Sequence, residues 1–296
     1  VSILPTVHGE KAVLRLLGSG DKELNLTNLG FPNNKLTKFK KWINQPYGMV
    51  IISGPTGSGK STTLYAALQE IKNDTINITT VEDPVEYQIP GINQIQVHEK
   101  IGLSFAAALR SILRQDPDVL LIGEIRDQET ADIAVKFSMT GHLVFSTVHA
   151  NDAPSTISRL LDLGVPPFLL GSSLNLIMAQ RLIRTIDSNE KEQDTPTNEQ
   201  LQRLGIAENS NQMTFYKGKP TQQNHNTGYK GRTAIHEILE VNSSVREMIF
   251  EGKSEFEIKD QAIKNGMTPL RDAGIDKIKE GVTTVEEVLR ATVEDN

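Results

Sequence analysis

At 296 residues, with 37 acidic against 31 basic side chains and a formal charge of -6, the chain can bury a large core and is too acidic for nonspecific nucleic-acid binding to be its main activity. It contains no cysteine, which excludes disulfides, thiolate metal sites and cysteine nucleophiles. No apolar run approaches the ~18 to 20 residues that span a bilayer, and no basic stretch leads into an apolar signal core at the start.

Residues 2 to 17 alternate apolar and polar side chains, which predicts a strand or hairpin; with no starter methionine before it, this stretch reads as the remnant of a truncated N-terminal domain, residues 1–17. Gly18-Ser19-Gly20-Asp21 has flexible turn chemistry, so residues 18–29 are expected to be a linker. A helix is predicted over about Lys35 to Asn44, and Gly48 to Ser53 reads as a buried strand running into a glycine-rich turn.

Short apolar runs at Asn77 to Val81, Asp118 to Gly123 and His142 to Thr147 alternate with helical patterns at Phe105 to Arg114 and Thr130 to Thr140. That alternation predicts an α/β core over residues 30–186, a mostly parallel sheet with helices on both faces. Residues 187–227 are polar and are expected to form a partly ordered insert. From 228 to 296 helical spacing broken by Gly252, Gly266 and Gly281 predicts a small helical subdomain.

Gly54-Pro55-Thr56-Gly57-Ser58-Gly59-Lys60-Ser61-Thr62 satisfies the Walker A pattern, between a predicted strand and a predicted helix as the motif requires. Its glycines let backbone N–H groups turn toward phosphates, Lys60 reaches the β and γ oxygens of ATP, and Ser61 is a ligand for Mg2+. A hydrolase also needs a carboxylate at the end of a neighbouring strand. Asp118-Val-Leu-Leu-Ile-Gly-Glu124 supplies Glu124, which is suited to orienting water, to contacting magnesium through water, or to both; Gly123 stands where many P-loop enzymes place a magnesium-binding Asp.

Glu82, Asp83 and Glu86 crowd the end of another predicted strand, and like charges so close call for a cation, a water or an arginine to offset them. His142 and His149 bracket the strand at Leu143 to Thr147, and either is a candidate phosphate sensor. Arg110 and Arg114 lie one helical turn apart and either serve an interface or pair with Asp116 and Asp118.

In this order, these blocks resemble the secretion ATPase superfamily, specifically the branch that powers type II secretion and type IV pilus assembly. Thr80 to Glu86 looks like that family's Asp box, Gly123-Glu-Ile-Arg-Asp127 like its atypical Walker B, and Thr140 to Asp152 like its His box. The resemblance implies a RecA-like P-loop fold, ATP and Mg2+ as ligands, and catalytic roles for Glu124, Glu82, Glu86, Lys60 and His149. It also implies a homo-hexamer in which Arg15 of one subunit reaches the nucleotide of the next, with Gly18 to Asp21 as the hinge. It further implies a cytoplasmic motor, peripheral to the inner membrane through platform and cytoplasmic-domain partners, without membrane insertion or direct nucleic-acid contact. Assembly-type members commonly carry two Cys-x-x-Cys pairs where this chain has Asp187, Glu190, Thr221 and Asn224, so no structural zinc is expected. The 187–227 insert and the Gly228-Tyr-Lys-Gly-Arg232 block favour assembly over retraction motors. A pilus retraction or DNA-uptake ATPase, a nucleic-acid translocase and a slow nucleotide switch are the competing readings.

Overall fold

β1 (Ser2–Thr6) and β2 (Gly9–Val13) form an antiparallel hairpin at the start of the computed structural model, which describes residues 2–14, 24–208 and 213–292. Arg15 and the Gly18 to Asp21 turn lie outside the described residues. The core then builds as α1 (Asn33–Ile43), β3 (Gly48–Ser53), α2 (Lys60–Ile71), β4 (Ile78–Glu82), β5 (Asn93–Gln96), α3 (Phe105–Ile112), β6 (Val119–Ile122) and α4 (Gln128–Met139). β7 (Leu143–Val148), α5 (Ala153–Asp162), α6 (Pro167–Ser173) and β8 (Leu174–Ile186) complete it. The strands predicted at 48–53, 77–81, 118–123 and 142–147 are therefore present within a residue or so of their expected ends.

β8, β3, β7, β6, β4 and β5 lie side by side and parallel, and the alternation of apolar positions explains why both faces are covered. On β3, Met49 and Ile51 enter one core with helices α3 to α6, while Val50 and Ile52 enter another with α1 and α2. Every residue of β3 is buried, so the loop that follows it is anchored on a rigid strand.

Beyond β8 the structure corrects two expectations. The described residues of 187–227 are more ordered than their polarity suggests: β9 (Lys191–Asp194), α7 (Asn198–Arg203) and β10 (Phe215–Gly218) form a hairpin and a short helix. Their few apolar side chains, Leu201, Leu204, Ile206 and Phe215, pack on the C-terminal helices through Ile278, Val285 and Val288. Nor is the region from 228 onward wholly helical, because β11 (Tyr229–Glu240) extends the sheet as an antiparallel edge beside β8. Its central residues are buried on both faces, which erases the period-two pattern, and His236 and Glu237 interrupt its apolar run. Helices begin only afterwards: α8 (Ser243–Phe250), α9 (Glu255–Lys264), α10 (Leu270–Lys279) and α11 (Val285–Ala291).

Asp187, Glu190, Thr221 and Asn224, the positions at which no structural zinc is expected, lie at two facing 3-10 turns, Ser188–Glu190 and Gln222–Asn224. Asn224 Nδ2 donates to Asp187 Oδ2 (3.4 Å) and to the Lys219 carbonyl (2.9 Å), while its Oδ1 accepts from Thr221 and Gly228 N–H groups. Lys219 N–H donates to the Glu190 carbonyl at 2.7 Å, closing the pair of turns. The Asp187 and Asn224 oxygens are already committed to hydrogen bonds, and hard oxygen donors at these four positions do not fit a tetrahedral thiolate-type centre. Asn224→Ala is expected to lower stability by about 1–3 kcal/mol, because it strands buried partners. A fall in the urea midpoint would record this, with a chelator leaving the parent midpoint unchanged.

Arg110 and Arg114 do not pair with Asp116 or Asp118 among the described contacts. Arg110 pairs with Glu129 of α4, Arg114 donates to the Arg110 carbonyl, and Asp118 instead accepts from the Asn77 N–H.

Candidate nucleotide site

The phosphate loop is shaped by its glycines. Gly54, Gly57 and Gly59 have φ of +147°, +80° and +87°, a region that L side chains rarely adopt. A Cβ on Gly54 would also lie 2.5 Å from the Gln180 carbonyl oxygen and 2.7 Å from Ser58 Oγ. Gly59 is the N-cap of α2 and brings no side-chain cap, so the first N–H groups of α2 keep their capacity for an anion. Ser58 Oγ is buried with no hydrogen-bond partner among the described residues, a further polar group directed into this loop.

β8 holds the loop from behind. Gln180 Nε2 donates to the Ser58 carbonyl (2.7 Å) and its Oε1 accepts from Thr63 Oγ1 (2.8 Å). Arg181, also largely buried, donates through Nη2 to the Asn151 carbonyl at 2.7 Å. Lys60 Nζ donates to the carbonyls of Gly54 (2.8 Å) and Pro55 (3.0 Å). Burial, reinforced by the Arg181 cation, pushes the Lys60 ammonium down to about 8. Pro55, Thr56, Gly57, Ser61 and Thr62 are exposed on the outer side of the loop and the first turn of α2.

Glu124 follows β6, one residue after Gly123, and is mostly buried, with 18 % of its side chain exposed. A Cβ on Gly123 would stand 3.1 Å from the Val81 carbonyl oxygen, a tight contact beside the neighbouring strand end. Arg126 Nε contacts Glu124 Oε1, and His149 Nε2 lies 3.6 Å from Oε2. Arg126 also reaches Asp83 Oδ2 at 3.7 Å. Burial first, then the Lys60 and Arg126 cations, hold the His149 imidazole below its ordinary value, which favours its neutral form. His149 stands on the wall of a cleft of about 580 Å³ that runs from Gly54, Pro55 and Thr56 toward Arg159 and Glu255. A second cleft of about 340 Å³ opens on the other side of the loop, between Pro55 to Ser58 and Arg181 and Arg290.

The remaining predicted residues separate. His142 lies at the opposite end of β7, edge-on to Phe137 and bonded to its carbonyl at 3.1 Å, so it is away from the loop. Glu82 is buried and already fully engaged: Tyr65 Oη donates to Oε2, while Thr80 Oγ1 (2.6 Å) and Gln94 Nε2 (3.2 Å) donate to Oε1. Glu86 is exposed, and its N–H donates to Tyr65 Oη at 3.3 Å. Glu124 and His149 thus come within 3.6 Å of each other, with Lys60 near enough for its charge to act on His149, whereas the Glu82 carboxylate is engaged by Tyr65, Thr80 and Gln94. Sequence reading missed Gln180 and Arg181; the available signal was two long polar side chains within the apolar run Leu174–Ile186.

The sequence profile of the family described as "Type II/IV secretion system protein" matches residues 1–290. The chain is 49 % identical over 297 residues to the type IV pilus assembly ATPase PilB of Myxococcus xanthus, covering 100 % of this chain and 52 % of that protein. It is 45 % identical over 294 residues to the type II secretion system ATPase E of Vibrio cholerae, covering 99 % of this chain and 58 % of that one. The chain therefore spans little more than half the length of these curated relatives. Among solved structures, the pilus retraction motor PilT with bound ADP superposes with a TM-score of 0.72 at 28 % identity, covering 99 % of this chain and 73 % of that one.

Proposed function

This chain belongs to the type II/IV secretion system protein family, and from that premise we propose that it is the ATP-hydrolysing motor segment of a type II secretion or type IV pilus assembly machine. The observation that carries the reading is a Walker A loop beside a cleft walled by His149, which lies 3.6 Å from Glu124.

In this reading the N–H groups of the loop and of the first turn of α2 bind the β and γ phosphates of ATP. Lys60 exchanges the Gly54 and Pro55 carbonyls for phosphate oxygens as the nucleotide enters. Glu124 orients the attacking water and accepts its proton; the water oxygen bonds to the γ phosphorus and the β–γ bridging oxygen leaves with ADP. Arg126 holds one oxygen of Glu124 while His149 stands beside the other, and Glu82 supports the neighbouring strand end through Tyr65, Thr80 and Gln94. Glu86, on the exposed rim, is a candidate contact for water or a neighbouring arginine.

Mg2+ fits the donor chemistry: the Ser61 hydroxyl and Glu124 would hold it beside the phosphates. No cluster of acids or histidines among the described residues would cage a metal alone, and magnesium characteristically takes most of its ligands from phosphate and water. When bound, it supplies neutralisation of charge on the phosphates.

Homo-hexamer formation, with Arg15 delivered to the next subunit's nucleotide and the 18–21 turn acting as hinge, belongs to the same proposal. So do a cytoplasmic position and docking on an inner-membrane platform; no helix of the described residues is long and apolar enough to cross a membrane. The folded hairpin and helix within 187–227 favour the assembly or secretion branch over a retraction or DNA-uptake motor.

The trans arrangement predicts that ATP turnover per chain rises steeply with protein concentration and that Arg15→Ala removes this rise while ADP still binds. Turnover independent of concentration, with Arg15→Ala fully active, would refute the shared site.

A further inference from the structure

Glu237 lies in the middle of β11, opposite Ala179 of β8, with 1 % of its surface exposed. Its Oε1 accepts the N–H of Ala153 (2.7 Å), the first residue of α5, and its Oε2 accepts the N–H of Leu270 (3.0 Å), the first residue of α10. A carboxylate at two helix N-termini satisfies two orphan donors and is favoured by both dipoles. α10 has Pro269 at its N-cap and no side-chain cap, so Glu237 fills that role from another element.

The α5 end of this bridge belongs to the frame of the phosphate loop. α5 begins directly after His149, Ala150, Asn151 and Asp152. The Asn151 carbonyl accepts from Arg181, and the Asp152 carbonyl accepts from Ser53 Oγ at 3.4 Å. Arg181 Nη1 in turn lies 3.2 Å from where a Cβ on Gly54 would stand. A cavity of about 40 Å³, lined by Asn151, Arg181, Glu237, Lys259 and Leu270, separates these groups and is large enough for a water. One buried carboxylate therefore joins the segment behind the loop to the start of the C-terminal helical layer.

We propose that Glu237 is a positioning residue that couples the nucleotide loop to the C-terminal helices, so that a nucleoside diphosphate or triphosphate on the loop is felt at the N-terminus of α10. The coupling rests on the reading of Gly54 to Thr62 as a nucleotide site. Its chemistry is sensitive to the charge on Glu237, because protonation turns one acceptor oxygen into a donor facing an N–H. Burial, with a smaller contribution from Asp152, raises this carboxyl to about 7 against the opposing N–H bonds and Lys259. The charged groups around it are Asp152 ahead of α5, Lys259 on α9, Arg181 on β8, Arg271 on α10 and Lys35 on α1.

Amide hydrogen exchange of the whole chain, with and without a saturating fluorescent ADP analogue whose binding is followed in the same sample, tests this. In the wild type the analogue is expected to raise Leu270 protection about fivefold or more, a typical coupling between linked sites. That response should be larger at about pH 8 than at about pH 6, across the Glu237 titration. In Glu237→Gln, Leu270 should no longer respond at either pH. A variant response equal to the wild type's overturns the coupling, as does a wild type that binds the analogue without any Leu270 response or with equal responses at both pH values. The wild-type arms decide even where the variant is too unstable to study. A wild type that binds no analogue overturns the nucleotide reading itself, and the coupling with it.

Discussion

Glu124→Gln is expected to lower ATP turnover by about 10²- to 10⁴-fold, the usual worth of a positioned general base, while leaving nucleotide affinity nearly unchanged. The amide keeps the shape of the side chain and the reach toward Arg126 and His149, but it cannot accept the proton of the attacking water. Gly123 brings no side chain to the strand end, and the Glu82 carboxylate is buried under Tyr65, Thr80 and Gln94. Initial rates at saturating ATP, with affinity measured separately, would read the effect. A variant within a few-fold of the parent rate would remove Glu124 from the role of base.

Lys60→Ala should act on binding instead. Its ammonium makes charge-assisted hydrogen bonds of about 1.5–3 kcal/mol, so ADP affinity is expected to fall about 10- to 100-fold. The pH dependence follows from the direction of the Lys60 shift. Only the charged ammonium attracts phosphate, and in the free chain it deprotonates at about 8 rather than near its ordinary value. Affinity for ADP should hold below that point and weaken as the pH rises through it, and Lys60→Ala should lose this slope. Titration of a fluorescent ADP analogue between about pH 7 and 9 measures both effects, since the range spans the Lys60 titration. Equal slopes in parent and variant would show that another group titrates.

Much of this was legible in the sequence because it is written locally. β3, α2 and the turn between them follow from a buried apolar run, three glycines and a Lys-Ser pair within fifteen residues. Glu124 could be named because it ends a short apolar strand. What stayed hidden was long-range. Gln180 and Arg181 act on Ser58, Thr63 and Asn151, more than a hundred positions away for the first two, and nothing in their neighbourhood announces those partners. His142 and His149 are equivalent in sequence and distinguished only by which end of β7 each occupies. β11 escaped notice because two buried polar residues, His236 and Glu237, break its apolar pattern, and its order depends on pairing with β8. The hairpin in 187–227 likewise rests on a cluster shared with α10 and α11, beyond the reach of composition.

The central claim is that this Walker loop and Glu124 together hydrolyse ATP. Its most direct test is phosphate release from saturating MgATP by the parent chain and by Glu124→Gln, at matched high protein concentration and with bound nucleotide quantified in the same samples. The account predicts equal nucleotide occupancy, steady phosphate release by the parent and almost none by the variant; equal release from both, or no nucleotide bound to the parent, would contradict it.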